Sequence, residues 1–221
     1  MRTIIYVDGF NLYFRLLHTR PHLKWLNIKA LAQNVLGAQH RIIGVRYYTA
    51  RVSGRTDPTA PARQQVYLDA LGTIPEISVH LGSFLSSKKF AGLVYPPEFR
   101  PRLASPIPQP WPVVVRVHKT EEKGSDVNLA SHLLLGAFRN EYDVAAIVSN
   151  DTDLVEPLRI VTNELGKVVT LLSPVPNPAP QLKAVAGFVR HIRVGHLSAS
   201  QFADPLVLAN GTLLSKPITW V

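Results

Sequence analysis

The sequence of 221 residues contains no cysteine and a single methionine. The absence of cysteine excludes disulfide bonds, zinc sites built on thiolates and catalysis by a cysteine nucleophile. The eight histidines are spread along the chain without a pair at metal-binding helical spacing, and no HExxH motif occurs. Apolar runs stay well short of the ~20 residues that a membrane-spanning helix needs. These absences direct the search for chemistry towards carboxylate side chains.

Charge and length narrow the class of protein further. Lysine and arginine together number 24 against 15 aspartates and glutamates, which gives a net charge of +9. This balance favours an acidic partner such as nucleic acid, although basic proteins without one are common. A hydrophobic content of 46% supports a real core, and the length fits one globular domain with elaborations. Because the N-terminus leads into a strand-like run without a signal peptide, we expect a cytoplasmic protein without membrane association.

Strand-like and helix-like segments alternate along the chain. Apolar, β-branched runs predict strands at residues 3–7, 42–50, 77–85, 113–119, 144–148, 168–172 and 188–194. Helical spacing of apolar residues predicts helices at residues 11–18, 28–36, 61–71, 125–138 and 152–165. The alternation predicts a three-layer α/β fold with a mainly parallel central sheet.

One stretch departs from this alternation. Residues 86–112 are rich in proline, which disfavours both a regular helix and a central strand. We therefore predict an irregular surface insertion there. The flanking strands, 77–85 and 113–119, could pair antiparallel across it and so add one antiparallel strand to the sheet.

The C-terminal region carries a turn signal. Asn210 and Gly211 separate two short apolar runs, a pattern typical of a β-hairpin with a two-residue turn. We divide the chain into a main domain of residues 1–195, which includes the insertion, and a C-terminal extension of residues 196–221.

Four aspartates stand at the ends of predicted elements. Asp8 follows the strand TIIYV, and Asp126 lies at the start of a helix. Asp151 and Asp153 follow the strand VAAIV. Strand ends of a parallel sheet meet at one edge, where ligands usually bind. Converging carboxylates repel one another by about 4 kcal/mol per close pair at an effective dielectric of about 20. Because Mg²⁺ and Mn²⁺ prefer oxygen ligands and would offset this repulsion, the pattern predicts a divalent metal site.

Each of these aspartates also has a purely local explanation. Asp8 could end its strand in a turn, and Asp126 could complement the dipole of its helix, with Ser125 as the N-cap. Asp151 could cap the next helix, with Asp153 in its first turn. The conjunction of three element junctions at one sheet edge favours the metal site over these local roles.

The segments VDGFNLY, EKGSDVNLASHLL and VSNDTDL, in this order, resemble the NYN domains of the PIN-like nuclease superfamily. The resemblance covers roughly residues 3–173. It implies a Rossmann-like PIN fold and metal-dependent cleavage of RNA, so residues 1–195 would form an NYN/PIN-like nuclease domain.

The resemblance also implies roles for individual residues. It implies that the catalytic, metal-binding acids are Asp8, Asp126, Asp151 and Asp153, and that the cofactor is Mg²⁺ or Mn²⁺. The resemblance implies that Asn11 is the amide residue that accompanies the first acid, which makes it a further candidate catalytic residue. Ser149 takes the serine position of the turn after the strand, where its hydroxyl could fix the loop or touch a phosphate.

Departures from the family pattern bear on the strength of the activity. Asn150 occupies a turn position where many relatives have glycine, and Leu154 one where an aromatic residue is common. PIN nucleases also often carry a glutamate on an early helix, whereas the predicted helices 11–18, 28–36 and 61–71 contain none. We expect the metal site to survive with fewer acids than the strongest nucleases have.

Basic residues near the predicted edge are candidates for binding the RNA backbone. Arg51 and Arg55 lie on the loop after the second strand, and Lys123 precedes Asp126. Phosphate contacts of this type add affinity without reading the base sequence. The expected partner is single-stranded or structured RNA, and a second copy of the chain, forming a homodimer, is a further candidate.

Three functional hypotheses follow. The leading one is a metal-dependent ribonuclease, which needs no nucleophile from the protein. The alternative is a non-catalytic RNA-binding or regulatory module that keeps the fold and the acidic pocket. The third is an aspartyl-phosphate phosphohydrolase, although Asp8-Gly9-Phe10 lacks the second acid of the DxD motif that such enzymes usually carry. Metal-dependent cleavage of RNA distinguishes the first hypothesis from the second.

Overall fold

The computed structural model describes residues 1–55, 57–99 and 109–220. The strands of its main sheet are, in chain order, β1 Arg2–Asp8, β2 Arg41–Ala50, β3 Ile77–Gly92, β4 Val114–Lys123, β5 Val144–Val148, β6 Val168–Ser173 and β7 Phe188–His191. They lie in the order β4-β3-β2-β1-β5-β6-β7, and every neighbouring pair is parallel except β3 with β4. The predicted α/β fold with a mainly parallel sheet is confirmed.

Helices fill the connections between the strands. They are α1 Gly9–Leu12, α2 Ile28–Leu36, α3 Ala60–Gly72, α4 Ser125–Phe138, α5 Val155–Arg159, α6 Pro180–Val185 and α7 Val194–Ser198. Short 3₁₀ turns form at Pro21–Leu23 and Thr152–Leu154, and π-helical turns at Tyr13–Leu17 and Ile160–Glu164. The segments that follow β1 and β5 are therefore composite helices. No helix in the described ranges is long and apolar enough to cross a membrane.

Both faces of the sheet are buried, which gives the fold its three layers. On β1, Ile5 and Val7 point into one core while Ile4 and Tyr6 point into the other, as the alternation of a strand requires. The first core is closed by α2, α3 and the C-terminal Trp220, and the second by α4, α5 and α6. Burial on both faces explains why β1 reads as an unbroken apolar run.

The sheet has a topological switch point between β1 and β5. From β1 the chain moves outward through β2 to β3, whereas β5, β6 and β7 extend the sheet on the opposite side. Ligands of such sheets bind at the carboxyl ends of the strands where this order reverses. The topology therefore places Asp8 beside the turn that follows Val148.

The prediction of an irregular insertion over residues 86–112 is wrong for its first part. Residues 86–92 continue β3, which pairs antiparallel with β4 from Ser83↔Lys123 to Gly92↔Val114. This pairing satisfies the backbone of both strands, and the first proline of the segment, Pro96, comes only after the strand has ended. The antiparallel pairing of the flanking strands is confirmed. Residues 100–108 of the predicted insertion lie outside the described residues.

The C-terminal extension contains a small hairpin. Strand β8 Leu206–Val207 pairs antiparallel with β9 Leu213–Leu214. Asn210 and Gly211 lie in the turn, but the backbone N–H of Leu208 donates to the carbonyl of Thr212, so three residues form the turn instead of the predicted two. The division of the chain at residue 195 stays a prediction.

Candidate functional site

Asp8 ends β1 and is the N-cap of α1. One of its carboxylate oxygens accepts a hydrogen bond from the backbone N–H of Asn11 at 2.9 Å. The other accepts from the side-chain amide of Asn11 at 2.7 Å and from the hydroxyl of Ser149 at 2.9 Å. Burial raises the pKa of the Asp8 carboxyl. The hydrogen bonds from Asn11 and Ser149 favour the charged form and oppose this rise, but burial has the larger effect. Three donors on a buried carboxylate fix its orientation.

Ser149 and Asn11 also tie the loop after β5 to α1. The hydroxyl of Ser149 is fully buried and accepts from the backbone N–H of Asp151 at 3.0 Å. The side-chain oxygen of Asn11 accepts from the backbone N–H of Asn150 at 3.2 Å. Asn150 in turn accepts from the backbone N–H of Ala179 at 2.9 Å. Ser149 therefore fixes the loop, which is one of the two roles considered for it.

Asp126 lies in the first turn of α4, directly after β4. Gly124, with a φ of 100°, occupies the N-cap position in a conformation that glycine adopts without strain. The backbone N–H and the hydroxyl of Ser125 both donate to Glu122, at 3.1 and 2.7 Å. The prediction that Ser125 is the N-cap is therefore wrong, because a glutamate of the preceding strand satisfies the start of the helix.

Three of the predicted acids converge. Asp8, Asp126 and Asp151 each offer one carboxylate oxygen, and these atoms all lie within 4.8 Å of one another. We call these residues the carboxylate cluster. Burial, and after it the charges of Asp8 and Asp151, raises the pKa of Asp126 to about 6. An all-oxygen donor set with unbalanced negative charge fits a hard divalent cation.

Asp153 lies outside the carboxylate cluster. It is exposed, and its backbone N–H donates to the side chain of Asp151 at 3.0 Å, so Asp151 also caps the following turn. The charge of Asp153 still contributes to the raised pKa of Asp126. The predicted fourth metal ligand therefore stands at the margin of the site.

The predicted phosphate-binding residues lie around this edge. Arg51 follows β2 and donates to Gln65 of α3, and Arg55 is exposed further along the same loop. Lys123 is exposed at the end of β4 and forms an ion pair of 3.7 Å with Glu121, which also pairs with two other lysines of the hairpin. Arg51 and Lys123 thus have partners within the protein, which reduces their availability to a phosphate.

One face of the β3–β4 hairpin combines aromatic and basic side chains. The register places Phe84, Lys88 and Phe90 on the same face as Arg116 and His118. The guanidinium of Arg116 lies 5.9 Å from the ring centroid of Phe90, and the Phe90 side chain is 76% exposed. We call this surface the hairpin face.

Aromatic contacts join the hairpin face to the carboxylate cluster. The ring centroid of Phe84 lies 5.8 Å from that of Phe10 in α1, and Phe10 stacks on Phe14 at 6.4 Å. Phe10 is two residues from Asp8 in the chain. Exposed aromatic rings beside basic groups are typical of surfaces that bind single-stranded nucleic acid.

A basic cleft that the sequence analysis did not single out lies beyond the carboxyl end of β6. Its basic side chains are Arg15, Arg20, His191 and Arg193, and the loop after β6 supplies apolar residues. No acidic side chain of the described residues lines it. Its members come from separate segments of the chain, so their spacing in the sequence gives no sign of the cleft.

An apolar cavity of about 190 Å³ opens beside Gly9, the residue after Asp8. Its aromatic lining consists of Phe10, Tyr13, Phe14, Tyr47, Tyr67 and Trp220. We call this cavity the aromatic pocket. A Cβ atom on Gly9 would lie 2.8 Å from the ring and hydroxyl of Tyr47 and 2.7 Å from the carbonyl oxygen of Tyr48. Only glycine allows β2 and the turn after Asp8 to pack this closely.

Known proteins provide three comparisons. The model of the NYN domain family matches residues 105–192. A curated relative, 6-hydroxy-3-succinoylpyridine 3-monooxygenase HspA of Pseudomonas putida (strain DSM 28022 / S16), is 29% identical over 246 residues, covering all of this chain and 75% of the relative. The crystal structure of VPA0982, a protein of unknown function from Vibrio parahaemolyticus RIMD 2210633, gives a TM-score of 0.49 at 17% identity, covering 87% of this chain and 93% of that one.

The family match agrees with the motifs of the sequence. Its residues include Asp126 and Asp151, two members of the carboxylate cluster. The third member, Asp8, belongs to the motif VDGFNLY, which lies before the matched segment. Residues 105–192 therefore resemble the NYN domain family, and the motif around Asp8 extends that resemblance towards the N-terminus.

Proposed function

We propose that this protein is a metal-dependent ribonuclease that hydrolyses RNA phosphodiester bonds at the carboxylate cluster. The observation that carries the proposal is the convergence of Asp8, Asp126 and Asp151 at the switch point of the sheet. The family match supports nuclease-like chemistry, because NYN domains belong to the PIN-like nuclease superfamily. The hairpin face and the basic cleft support a polyanionic, partly unpaired substrate.

The residues that would hold a divalent cation are the three members of the carboxylate cluster, with Asp153 as a further ligand at its margin. Their oxygen donors suit Mg²⁺ or Mn²⁺. When bound, such a cation neutralises phosphate charge and lowers the pKa of water in its coordination shell. This chemistry needs no nucleophilic side chain, which agrees with a chain that has no cysteine.

The protein's own groups orient the reactants. Asn11 and Ser149 hold the Asp8 carboxylate through three hydrogen bonds and prevent it from rotating. The raised pKa of Asp126 keeps a proton on its carboxyl at mildly acidic pH when no counter-charge is present. On the hairpin face, Phe90 would stack on an unpaired base while Arg116 contacts phosphate.

The direct test is incubation of a panel of labelled RNAs with the full chain, with and without Mn²⁺, beside an Asp8→Asn variant. We expect the wild-type protein to cleave RNA only with the metal and the variant to be inactive. A wild-type protein that binds RNA but cleaves none of the panel with either Mg²⁺ or Mn²⁺ would favour the alternative of a non-catalytic RNA-binding module.

A second candidate function is suggested by the curated relative, whose name describes a monooxygenase acting on 6-hydroxy-3-succinoylpyridine. The aromatic pocket adjoins the carboxylate cluster, and its ring-lined interior would accept a substituted pyridine ring. Incubation with 6-hydroxy-3-succinoylpyridine, dioxygen and an electron donor, followed by chromatography, tests this function. Consumption of the pyridine without RNA cleavage would favour it over the ribonuclease.

A homodimer and a cytoplasmic location remain predictions from the sequence. Sedimentation of the full chain tests the first, and localisation of a tagged chain in cells tests the second.

A further inference from the structure

The aromatic pocket is a candidate substrate subsite that neither the sequence motifs nor the family match assigns. We propose that it binds one nucleobase of the RNA, adjacent to the phosphate at the carboxylate cluster. The proposal rests on the proposed ribonuclease function, and it specifies which part of the substrate this chain recognises.

The size of the pocket suits one planar ring system. Its volume is about 190 Å³. A dry cavity of roughly 150 Å³ in another protein holds a benzene molecule. The pocket therefore has room for a single base, while the sugar and the phosphate of the same nucleotide would remain outside it.

Aromatic rings line both the interior and the mouth of the pocket. In the interior, the ring centroid of Tyr67 lies 6.4 Å from that of Tyr47 and 6.0 Å from that of Trp220. The Tyr67 hydroxyl donates to the carbonyl of Leu26 at 2.8 Å, which fixes the ring. At the mouth, Phe14 is 63% exposed. A base entering the pocket would therefore meet aromatic rings, on which every base can stack.

Lys24 supplies a polar contact for such a base. Its ammonium donates to the hydroxyl of Tyr13 at 3.3 Å and stands 5.2 Å from the centroid of that ring. An ammonium group has three donors, so donors remain for a base carbonyl or a phosphate oxygen. The other cation of the pocket, Arg63, already forms an ion pair with Asp57. Lys24 is therefore the basic residue that we expect to contact the ligand.

The position of the pocket links it to the carboxylate cluster. Gly9 and Phe10 line the pocket and follow Asp8 directly in the chain. The ring of Tyr47 packs against Gly9, and burial followed by the charge of Asp8 raises the pKa of the Tyr47 hydroxyl. Because successive Cα atoms are only about 3.8 Å apart, the two sites are adjacent on the scale of one nucleotide.

The surroundings of the pocket favour a base within a strand over a free aromatic acid. From the mouth, the rings of Phe14, Phe10 and Phe84 continue to the hairpin face, which offers further stacking and basic groups. A small free ligand would use none of this surface. A nucleic acid strand would use all of it.

A binding experiment tests the pocket without requiring catalysis. Calorimetric titrations of the full chain in Mg²⁺ would compare uridine 5′-monophosphate, ribose 5-phosphate and 6-hydroxynicotinate. Since stacking of one base typically changes affinity about 5-fold to 150-fold, we expect the nucleotide to bind at least about tenfold more tightly than the base-free sugar phosphate. Equal affinity for these two ligands, or binding of 6-hydroxynicotinate but not of the nucleotide, would overturn the proposal.

Substitutions on α3 provide a matched pair for this titration. Ala60 lines the pocket and Ala62 is exposed on the same helix, so Ala60→Phe fills the cavity while Ala62→Phe adds the same ring outside it. We expect Ala60→Phe to weaken nucleotide binding about tenfold and Ala62→Phe to leave it within about twofold. Lys24→Met, which keeps the aliphatic stem, serves as a second variant if thermal melting shows that Ala60→Phe does not fold. Unchanged affinity in a folded Ala60→Phe protein would exclude the pocket as the base site.

A cleavage experiment places the base relative to the scissile bond. Single abasic residues would be introduced one position at a time into a cleaved RNA. We expect cleavage to be lost at one fixed offset from the missing base, whereas cleavage insensitive to every abasic position would contradict the proposal. If the wild-type protein cleaves no RNA at all, the ribonuclease proposal fails, and the nucleotide titration alone decides whether the pocket binds a base.

Discussion

The carboxylate cluster and the aromatic pocket are neighbours at the carboxyl edge of the sheet, and different forces hold them together. The cluster brings like charges together, so that hydrogen bonds from Asn11 and Ser149 must hold Asp8 in place. The pocket is formed by rings that pack favourably without a ligand, and it depends on the missing side chain of Gly9. Under the proposed function, chemistry and substrate positioning therefore depend on separate parts of the structure. Substitutions away from Gly9, where the two regions meet, should affect them separately.

The largest effect is expected from Asp126→Asn, which should abolish metal-dependent cleavage and leave the aromatic pocket intact. The substitution keeps the size of the side chain and the start of α4 but removes one charge of the carboxylate cluster. When a metal ion generates the nucleophile, loss of its site costs several orders of magnitude in rate. Turnover with Mn²⁺ and affinity for RNA would be measured on the same samples, and the affinity should be unchanged or slightly stronger.

Asp69→Asn is the matched control for this prediction. Asp69 is exposed on α3, outside the carboxylate cluster, so its substitution should leave turnover unchanged. Wild-type turnover in a well-folded Asp126→Asn protein would exclude Asp126 from the chemistry.

Ser149→Ala should impair the carboxylate cluster to a smaller extent. The change removes one of three hydrogen bonds to a buried carboxylate and one acceptor of the loop after β5. We expect activity to fall about 10-fold to 100-fold, as for other groups that orient metal ligands, and stability to fall by about 1–3 kcal/mol. Nucleotide binding in the pocket should not change. Ser198→Ala, at an exposed position of α7, is the control, and equal turnover in both variants would contradict the orienting role of Ser149.

Gly9→Ala should impair both regions together. The added Cβ would lie 2.7–2.8 Å from Tyr47 and Tyr48, closer than atoms pack. We expect overpacking to destabilise the protein by about 1–3 kcal/mol and to lower both cleavage and nucleotide affinity. Chemical denaturation and the nucleotide titration would measure these effects. At Gly92 a Cβ meets no atom within 4 Å, so Gly92→Ala is the control, and normal nucleotide affinity in Gly9→Ala would show that the two regions are not joined at this turn.

The smallest expected effect is a pH-dependent change in the stability of the metal-free protein. The pKa of Asp126 is raised from 3.8 to about 6, so the folded state binds its proton more tightly than the unfolded state. The resulting stabilisation is complete below pH about 4 and is lost as the pH rises through about 6. In EDTA, Asp126→Asn should therefore melt at a higher temperature than the wild type at pH 7.5 and at the same temperature near pH 4.

The size of this pH effect is modest. For a fully buried group, a pKa shift of this size would change the free energy of unfolding by about 3 kcal/mol. Because Asp126 is partly exposed, we expect a change on the order of 1 kcal/mol. For a chain of this length, a stability change of that size shifts the melting temperature by ~2–4 °C. A difference between the two proteins that does not vary with pH would show that repulsion within the carboxylate cluster is not its source.

The two regions also differ in how far the sequence predicts them. Asp8 and Asp151 could be found because each follows a buried apolar strand, and the topology of a parallel sheet brings such strand ends together. The aromatic pocket could not be found in this way. Tyr47, Tyr67 and Trp220 read as core residues, and only the folded chain brings the C-terminus against α3.

The sequence predicts local details less well where contacts with distant parts of the chain determine them. The strand β3 extends through Ser86–Gly92 because β4 supplies a pairing partner, which the composition of that segment alone does not show. The start of α4 depends on Glu122 of β4 and not on Ser125 itself. In both cases a neighbour in the hairpin overrides the local preference of the sequence.

A manganese titration tests whether the carboxylate cluster binds a cation, because it measures the site without RNA. The free Mn²⁺ signal in electron paramagnetic resonance would be followed as the full chain is added, for the wild type, Asp151→Asn and the Asp69→Asn control. We expect the wild type and the control to bind Mn²⁺ alike, and Asp151→Asn to bind it at least about 10-fold to 100-fold more weakly. Equal affinity of Asp151→Asn and wild type for Mn²⁺ would contradict the carboxylate cluster as the metal site.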